Sequence, residues 1–237
     1  MMKSILSLFA LLPLAWTQNL CGQYDYYSAN GYYFNNNAWG SSAGTGSQCT
    51  YVDKLLNPGV AWHSQWNWAG GDNNVKSYPY SGRTLASKKL VSNIGSIPTK
   101  AEWRYLGDNI RADVAYDLFT AANPNHDPSS GDYELMVWLA RKGGVYPIGS
   151  SQGYVTVAGQ SWELFVGYNG ATKVFSFVAP NEIATFESDI KPFFTYITNS
   201  QGFPASQQYL ITFQFGSEPF TGQNSRFDVW YWYGEVN

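Results

Sequence analysis

The sequence contains little charge and very little histidine or cysteine. Of its 237 residues, 14 are Lys or Arg, 17 are Asp or Glu, 2 are His and 2 are Cys. A charged fraction of 13% argues against a disordered chain and a coiled coil, and so few cations argue against a nucleic-acid partner. A structural zinc site is nearly excluded, because it usually takes four Cys or His ligands. We therefore expect no metal and no cofactor.

Apolar runs long enough to span a bilayer are absent as well. Residues 5–15 are mostly apolar and follow Lys3, but they are too few to cross a membrane, and small residues stand at positions 15 and 17. This pattern predicts a signal peptide over residues 1–17. The mature chain, residues 18–237, is expected to be a single domain, secreted into the extracellular space, monomeric and without a membrane partner.

Aromatic residues are abundant, at 18% of the chain, and they lie in alternating patterns. Residues 109–119 and 133–139 each place apolar side chains at every second position, which is typical of β-strands. The segments 154–157, 162–168, 173–179, 208–215 and 227–233 show the same period. Many short strands separated by turns predict an all-β fold, a two-sheet antiparallel sandwich of the jelly-roll type.

One segment has helical spacing instead. Phe193, Phe194 and Ile197 fall on one face of a helix that Asp189 could cap, and Gly202 would close it. We therefore expect one short helix late in the chain.

The two cysteines, Cys21 and Cys49, are predicted to form an intramolecular disulfide, since a secreted chain folds in an oxidising compartment. Two unpaired thiols are the alternative.

Three carboxylates stand out among the few acidic residues. Glu134 lies within an apolar strand and shares a face with Met136 and Trp138, which favours a cleft over a solvent-exposed surface. Glu218 follows another apolar strand, and Asp117 ends a third. The alternative is that each carboxylate only decorates a solvent-exposed face.

A pair of carboxylates in a groove lined with tryptophan is suited to cleaving glycosidic bonds. One acid protonates the leaving oxygen while the other carboxylate attacks or activates water. His63, which follows Trp62, is expected to be a hydrogen-bonded wall residue rather than a base.

Six segments resemble the secreted fungal endoglucanases of glycoside hydrolase family 12. They are NNAWG at 36–40, SQWNWAGG at 64–71, NNVKSY at 73–78, VAYDLF at 114–119, GDYELMVWL at 131–139 and GSEPFTG at 216–222. They occur in the family's order over nearly the whole mature chain, and the last two are highly specific. Even the positions of the two cysteines resemble the family's N-terminal disulfide.

The resemblance implies a jelly roll with a concave substrate groove and a retaining mechanism. By position, Glu134 matches the nucleophile, Glu218 the general acid/base, and Asp117 the carboxylate that hydrogen-bonds the nucleophile. Trp39 matches the sugar-stacking residue. Further substrate-binding residues are expected to be Asn37 of the first segment, Met136 and Trp138 on the strand that carries Glu134, and His63 as a residue of the groove wall.

The expected function is a secreted endo-β-1,4-glucanase acting on cellulose or mixed-linkage β-glucan, with a β-glucan polysaccharide as its partner. A xyloglucan-specific endo-β-1,4-glucanase of the same family is the nearest alternative. A non-catalytic glycan-binding sandwich is the alternative from another class.

Overall fold

The computed structural model describes residues 18–237, so the predicted signal peptide at 1–17 lies outside the described residues. Within the described range the elements are β1 Gln18–Leu20, β2 Tyr26–Ala29, β3 Tyr32–Asn35, β4 Thr45–Leu55, β5 Val60–Ala69, β6 Tyr80–Arg83, β7 Pro98–Ala121, β8 Tyr133–Lys142, β9 Ser150–Val157, β10 Gln160–Asn169, β11 Thr172–Val178, β12 Thr185–Asp189, α1 Lys191–Gln201, β13 Tyr209–Leu210, β14 Gln214–Gly216 and β15 Pro219–Gly234. No helix in this range is both long and apolar enough to cross a membrane.

The strands form two layers that share the long strands β7 and β15. The first layer has the order β1-β4-β5-β15-β7-β12, and it uses residues 98–106 of β7. The second layer has the order β2-β3-β6-β14-β7-β8-β11-β10-β9, and it uses residues 112–120 of β7. β15 reaches this layer with its first residue, Pro219, which pairs with Ala112. The predicted all-β sandwich is confirmed. The pairing of β8 with β11 is parallel, whereas the sequence predicts antiparallel pairing throughout.

Both shared strands are irregular where they pass from one layer to the other. Asn109 in β7 has φ 50° and Asn224 in β15 has φ 49°, and the pairing of the two strands shifts register between residues 223 and 226. Such bulges bend a strand and increase its twist. They let one continuous strand supply both layers.

The main core lies between the two layers and consists largely of aromatic side chains. Phe215 of the second layer lies 6.2 Å from Phe227 of the first, measured between ring centroids, and Tyr116 lies 5.7 Å from Phe186. The tryptophans that are almost fully buried are Trp62, Trp66, Trp103, Trp138, Trp162 and Trp232. The tryptophans therefore serve mainly to fill the interior.

The predicted helix is confirmed as α1. Asp189 Oδ1 accepts the N–H of Lys191 at 2.8 Å, and Gly202 closes the helix in the left-handed region with φ 70°. Phe193 packs edge-on against Phe177 with centroids 5.0 Å apart. The apolar face of the helix thus extends the main core.

The predicted strand at 208–215 is interrupted, and this prediction is wrong in detail. The N–H groups of Ile211 and Thr212 both donate to the carbonyl of Phe119, at 3.0 and 3.3 Å. Two residues therefore face one on the neighbouring strand, and Thr212 Oγ1 donates to Pro128 O at 2.7 Å. The ladder breaks between β13 and β14.

The predicted disulfide between Cys21 and Cys49 is confirmed. It links the segment after β1 to the middle of β4, and the two cysteines are 28 residues apart in sequence.

We predict that reducing this disulfide lowers stability while leaving the second layer intact. A loop of this length corresponds to about 3.6 kcal/mol in the chain-entropy description. That loss corresponds to a fall of about 7–14 °C in the midpoint of thermal unfolding. The measurement is Tm with and without a reducing agent. The double variant Cys21→Ser/Cys49→Ser should already show the lower Tm and should not respond to the reductant; an unchanged Tm in both cases would contradict the prediction.

Candidate active site

Three adjacent strand segments bring four carboxyl groups to the outer face of the second layer. β7 carries Asp113 and Asp117, β8 carries Glu134, and Glu218 lies at the junction of β14 and β15. Asp117 lies opposite Gln214 of β14 on one side and opposite Met136 of β8 on the other. On β7 the alternate residues Val114, Tyr116 and Leu118 belong to the main core. Strand alternation therefore turns both aspartates outward.

A cavity of about 580 Å³ opens over these carboxyl groups, and we call it the cleft. Glu134, Glu218 and Asp117 all line it. Other residues that line it include Tyr24, Asn35, Asn37, Trp39, Tyr78 and Tyr80. The cleft therefore combines acidic groups at its floor with aromatic rings and amides around them, an arrangement suited to a polyhydroxylated ligand.

Asp117 and Glu134 form the first carboxyl pair of the cleft. Only 6% of Asp117 and 8% of Glu134 is exposed, and their carboxyl groups are within hydrogen-bonding distance of each other. Burial raises the pKa of Asp117 well above its usual range, and the nearby charge of Glu134 raises it further. A protonated Asp117 donates to Glu134, and this hydrogen bond lowers the pKa of Glu134 against the effect of burial.

Asp113 and Glu218 form the second pair, and two hydrogen bonds also join Asp113 to the backbone of Glu218. Asp113 Oδ1 accepts the N–H of Glu218 at 2.7 Å, and the N–H of Asp113 donates to Glu218 O at 3.3 Å. Burial raises the pKa of Glu218, while the hydrogen bond from Asp113 lowers it.

The two glutamates also influence each other. Glu134 has its pKa raised by burial first and then by the charge of Glu218. Because two carboxylates in one buried cleft repel, the pair at intermediate pH holds one proton between them. One ionised and one protonated carboxyl group is the combination that retaining glycosidic cleavage uses.

Trp39 forms an exposed aromatic platform on a well-anchored loop. Half of its surface is exposed, whereas the backbones on either side are held: Ala38 N–H donates to Gln23 O at 2.8 Å and Gly40 N–H to Lys76 O at 3.0 Å. Asn37, with φ 40°, accepts the N–H of Tyr78 on its carbonyl at 2.9 Å. The ring is thus presented to the cleft without needing a large rearrangement.

His63 does not line the cleft, which corrects its prediction as a groove residue. It lies on the first layer, between Tyr51 and Asp228 on the neighbouring strands, and its side chain points away from the core that Trp62 enters. Its Nδ1 is 2.8 Å from Asp53 Oδ2, and its ring stacks on Tyr51 with centroids 4.6 Å apart. The expected hydrogen bond exists, but on the other side of the molecule.

Met136 and Trp138 share the outward face of β8 with Glu134, as the alternation predicts, but neither lines the cleft. They belong to a small buried cluster together with Phe165 and Phe220, and Trp138 Nε1 lies 3.5 Å from Met136 Sδ. In the structure they support the floor beside Glu134, and their contact with substrate stays a prediction.

Two features of the cleft differ from the sequence-based expectations. The aromatic lining is mostly tyrosine, with Trp39 as its tryptophan, so the predicted tryptophan-lined groove is wrong. The second feature is Asp113, which the period of β7 could have revealed because it lies four residues before Asp117 on the same face. Among residues 18–237 no group of three or more His, Cys, Asp or Glu side chains is arranged to hold a metal ion.

Comparison with known proteins agrees with this geometry. The sequence model described as Glycosyl hydrolase family 12 matches residues 30–237. The chain belongs to this family. It is 53% identical over 236 residues to Endoglucanase A of Aspergillus kawachii (strain NBRC 4308), with 98% of each chain covered. It is 43% identical to the Xyloglucan-specific endo-beta-1,4-glucanase A of Aspergillus aculeatus, with 97% of each chain covered.

A solved structure gives the same result for the fold of this family 12 enzyme. The crystal structure of Trichoderma harzianum Endoglucanase 3 superimposes with a TM-score of 0.91 at 52% sequence identity, covering 94% of this chain and 99% of that one. The chain is therefore a glycoside hydrolase with the sandwich fold of its family.

We predict that the buried carboxyl groups of the cleft make the enzyme less stable as the pH rises above about 4, the ordinary range for Asp and Glu. Their folded-state pKa values are raised, so the native state binds more protons than the unfolded state, and the free energy of unfolding falls with pH. Asp117→Asn should flatten this fall. The measurement is Tm from pH 4 to pH 8.

The matched control is Asp108→Asn, which removes an exposed carboxylate from the same strand. It should follow the wild-type curve. Parallel curves for wild type and Asp117→Asn would contradict the prediction.

Proposed function

We propose that the enzyme hydrolyses internal β-1,4-glucosidic bonds of cellulose or mixed-linkage β-glucan with retention of anomeric configuration. The observation that carries the proposal is that Glu134 and Glu218 line one cleft, each beside an aspartate that lowers its pKa against the effect of burial. The cleft residues that lie in segments resembling the family motifs include Asn37, Trp39, Tyr78, Asp117, Glu134 and Glu218.

In the first step Glu134 attacks the anomeric carbon and forms a covalent glycosyl-enzyme, while Glu218 protonates the departing oxygen. In the second step Glu218, now ionised, takes a proton from a water molecule while the water oxygen attacks the anomeric carbon. The bond between that carbon and Glu134 breaks, which releases the sugar and restores the ionised Glu134. Asp117 supports the first step because its hydrogen bond favours the ionised form of Glu134. Retention requires carboxyl oxygens about 5–5.5 Å apart in the complex with substrate.

The chemistry of the cleft favours a neutral polysaccharide. Its floor is acidic, which would repel an anionic ligand, and its lining contains no Lys or Arg among the described residues. Tyrosine and tryptophan rings can stack on the apolar faces of pyranose rings, and Asn35 and Asn37 can hydrogen-bond the hydroxyl groups. We propose that Trp39 is a stacking platform of this kind.

Xyloglucan is the second candidate substrate, and the identity of 43% to a xyloglucan-specific relative favours it. The same carboxyl groups would serve, with space for branches on the glucan. Initial rates on linear and on branched glucan, measured at equal backbone concentration, separate the two candidates.

We also propose that the enzyme acts outside the cell as a monomer. The disulfide between Cys21 and Cys49 suits an oxidising compartment, and the apolar segment before residue 18 fits a signal peptide. Detection of a chain that begins near Gln18 in culture medium, and its mass by light scattering, test the two parts of this proposal.

We predict that Glu134→Gln lowers the release of reducing ends from carboxymethyl cellulose by at least about a thousandfold, because the amide cannot form the glycosyl-enzyme. Thermal unfolding and glucan binding should remain close to wild type. Glu187→Gln, which changes an exposed glutamate on β12, is the matched control and should keep full activity. Substantial turnover by Glu134→Gln would refute the nucleophile assignment, and no activity of the wild type on any β-glucan would favour a glycan binder.

We predict that Trp39→Ala lowers kcat/KM on soluble β-glucan by about ten- to a hundredfold, mainly through KM, because the aromatic surface that a sugar ring would cover is lost. Trp230→Ala provides the comparison. Trp230 is 52% exposed, similar to Trp39, but it lies on β15 against Arg104 and does not line the cleft. Equal effects of the two substitutions would show that Trp39 has no specific role.

A further inference from the structure

Asp113 is a buried ionisable group that the mechanism above does not use. Its side chain has no exposed surface, and Ser217 Oγ donates to the backbone carbonyl of Asp113 at 2.6 Å. Ser217 Oγ is in turn 2.9 Å from Tyr105 OH, which accepts Trp66 Nε1–H at 2.9 Å. This chain of hydrogen bonds fixes the backbone of Asp113 and of the segment that leads into Glu218.

The two oxygens of Asp113 have different surroundings. Oδ1 accepts the backbone N–H of Glu218. Oδ2 is buried, and within residues 18–237 no N–H or non-carboxyl O–H group donates to it; the carboxyl group of Glu218 is the polar group within its reach. An ionised oxygen left in this position would lose its hydration without compensation, whereas a protonated one donates to Glu218.

We propose that Asp113 is a positioning residue that retains a proton, donates it as a hydrogen bond to the carboxylate of Glu218, and thereby sets the pH at which Glu218 can no longer act as the acid. This inference rests on the proposed acid role of Glu218. Asp113 and Glu218 then titrate as a pair, and the proton that leaves first comes from Glu218.

Burial supports this order of proton loss. Desolvation raises the pKa of Asp113, which is completely enclosed, well above its usual range, while Glu218 is partly exposed to the cleft. In Glu218 the hydrogen bond from Asp113 lowers the pKa that burial raises. Without that hydrogen bond, Glu218 would keep its proton to a higher pH.

Other charged or titratable groups surround the pair from the elements packed against it. They are Asp117 on β7, Glu134 on β8, Arg141 opposite Asp113 on β8, Tyr78 between β5 and β6, Tyr105 in hydrogen-bond contact with Ser217, and Lys76, which contacts the backbone of β15. The guanidinium group of Arg141 lies over the Tyr146 ring at 4.6 Å, and Lys76 Nζ donates to the backbone carbonyls of Gly71, Asn74 and Phe220. The cations are therefore engaged elsewhere, and Asp113 is the direct hydrogen-bond partner of the Glu218 side chain.

The test is the pH dependence of kcat/KM on soluble β-glucan for wild type and Asp113→Asn. The asparagine keeps an oxygen for the Glu218 N–H but replaces an O–H donor by a weaker amide donor. The alkaline limb of the profile should move to higher pH by about one pH unit, while the acid limb, which reports Glu134, stays in place. Asp108→Asn makes the same Asp-to-Asn exchange on an exposed part of β7 and should move neither limb.

An alkaline limb that stays in place, or moves to lower pH, would overturn the proposal. A purely structural role for Asp113 would lower kcat and Tm without moving the limb. The proposal also has an NMR test: the side-chain carboxyl carbon of Glu218 should show a titration step from proton loss by Asp113, beside the steps that its coupling to Glu134 causes. This step should be missing in Asp113→Asn. Identical titration curves for wild type and Asp113→Asn would contradict the proposal.

These outcomes are separable from a failure of the proposed function. If Glu218→Gln retains activity on unactivated glucan, the acid assignment fails, whatever Asp113 does. The NMR titration reports the coupling between Asp113 and Glu218 whether or not the protein cleaves glucan.

Discussion

The strand β7 is the constraint on which the cleft depends. It passes through both layers, so its residues must satisfy the first sheet, the main core and the cleft in turn. In its second half, Val114, Tyr116 and Leu118 enter the core, and this fixes Asp113 and Asp117 on the opposite face. A slip of one residue would exchange the two sets, burying two aspartates in an aromatic core. The stability of the core thus holds the carboxyl groups in register.

The same constraint places carboxyl groups in buried positions, where an ionised group loses its hydration and lowers the stability of the fold. Four carboxyl groups stand on adjacent strand segments, and burial raises the pKa of each. A sheet face of apolar residues would be more stable at neutral pH, since no charge would have to lose its hydration. The pairing of each glutamate with an aspartate limits this cost, because a protonated aspartate satisfies a carboxylate that otherwise has few donors. Stability is given up here for the ability to hold one acid and one base in the same cleft.

How far the sequence predicts this structure depends on whether the signal is local. The alternation in β8 places Glu134 correctly, and the helical spacing and Gly202 locate α1, because these patterns lie within single elements. The prediction that His63 lies in the groove is wrong because its position depends on how distant strands pair. The sequence shows a histidine beside a tryptophan, but only the pairing of β4, β5 and β15 decides that it faces away from the cleft.

The predicted tryptophan lining of the groove is wrong because the local sequence does not show which tryptophans are buried. A large aromatic residue fits both a sugar-binding surface and a core, and in this chain most of the tryptophans are buried in the interior. The cleft uses Tyr24, Tyr78 and Tyr80 with the single platform of Trp39. The period of β7 is enough to predict that Asp113 shares a face with Asp117. Nothing in the local sequence indicates that its partner is Glu218, 105 residues later in the chain.

The two carboxyl pairs look alike, and their backbones explain why they are suited to different tasks. Glu134 lies in the regular ladder between β7 and β11 and is almost fully buried, so its oxygen can be held at a fixed distance from an anomeric carbon, as a nucleophile requires. Glu218 lies where β14 ends and β15 begins, and it is partly exposed to the cleft. Its backbone is tied to Asp113 instead of to a continuous ladder. A residue that first gives a proton to the leaving oxygen and then takes one from incoming water needs this contact with solvent. The nucleophile needs to be kept from it.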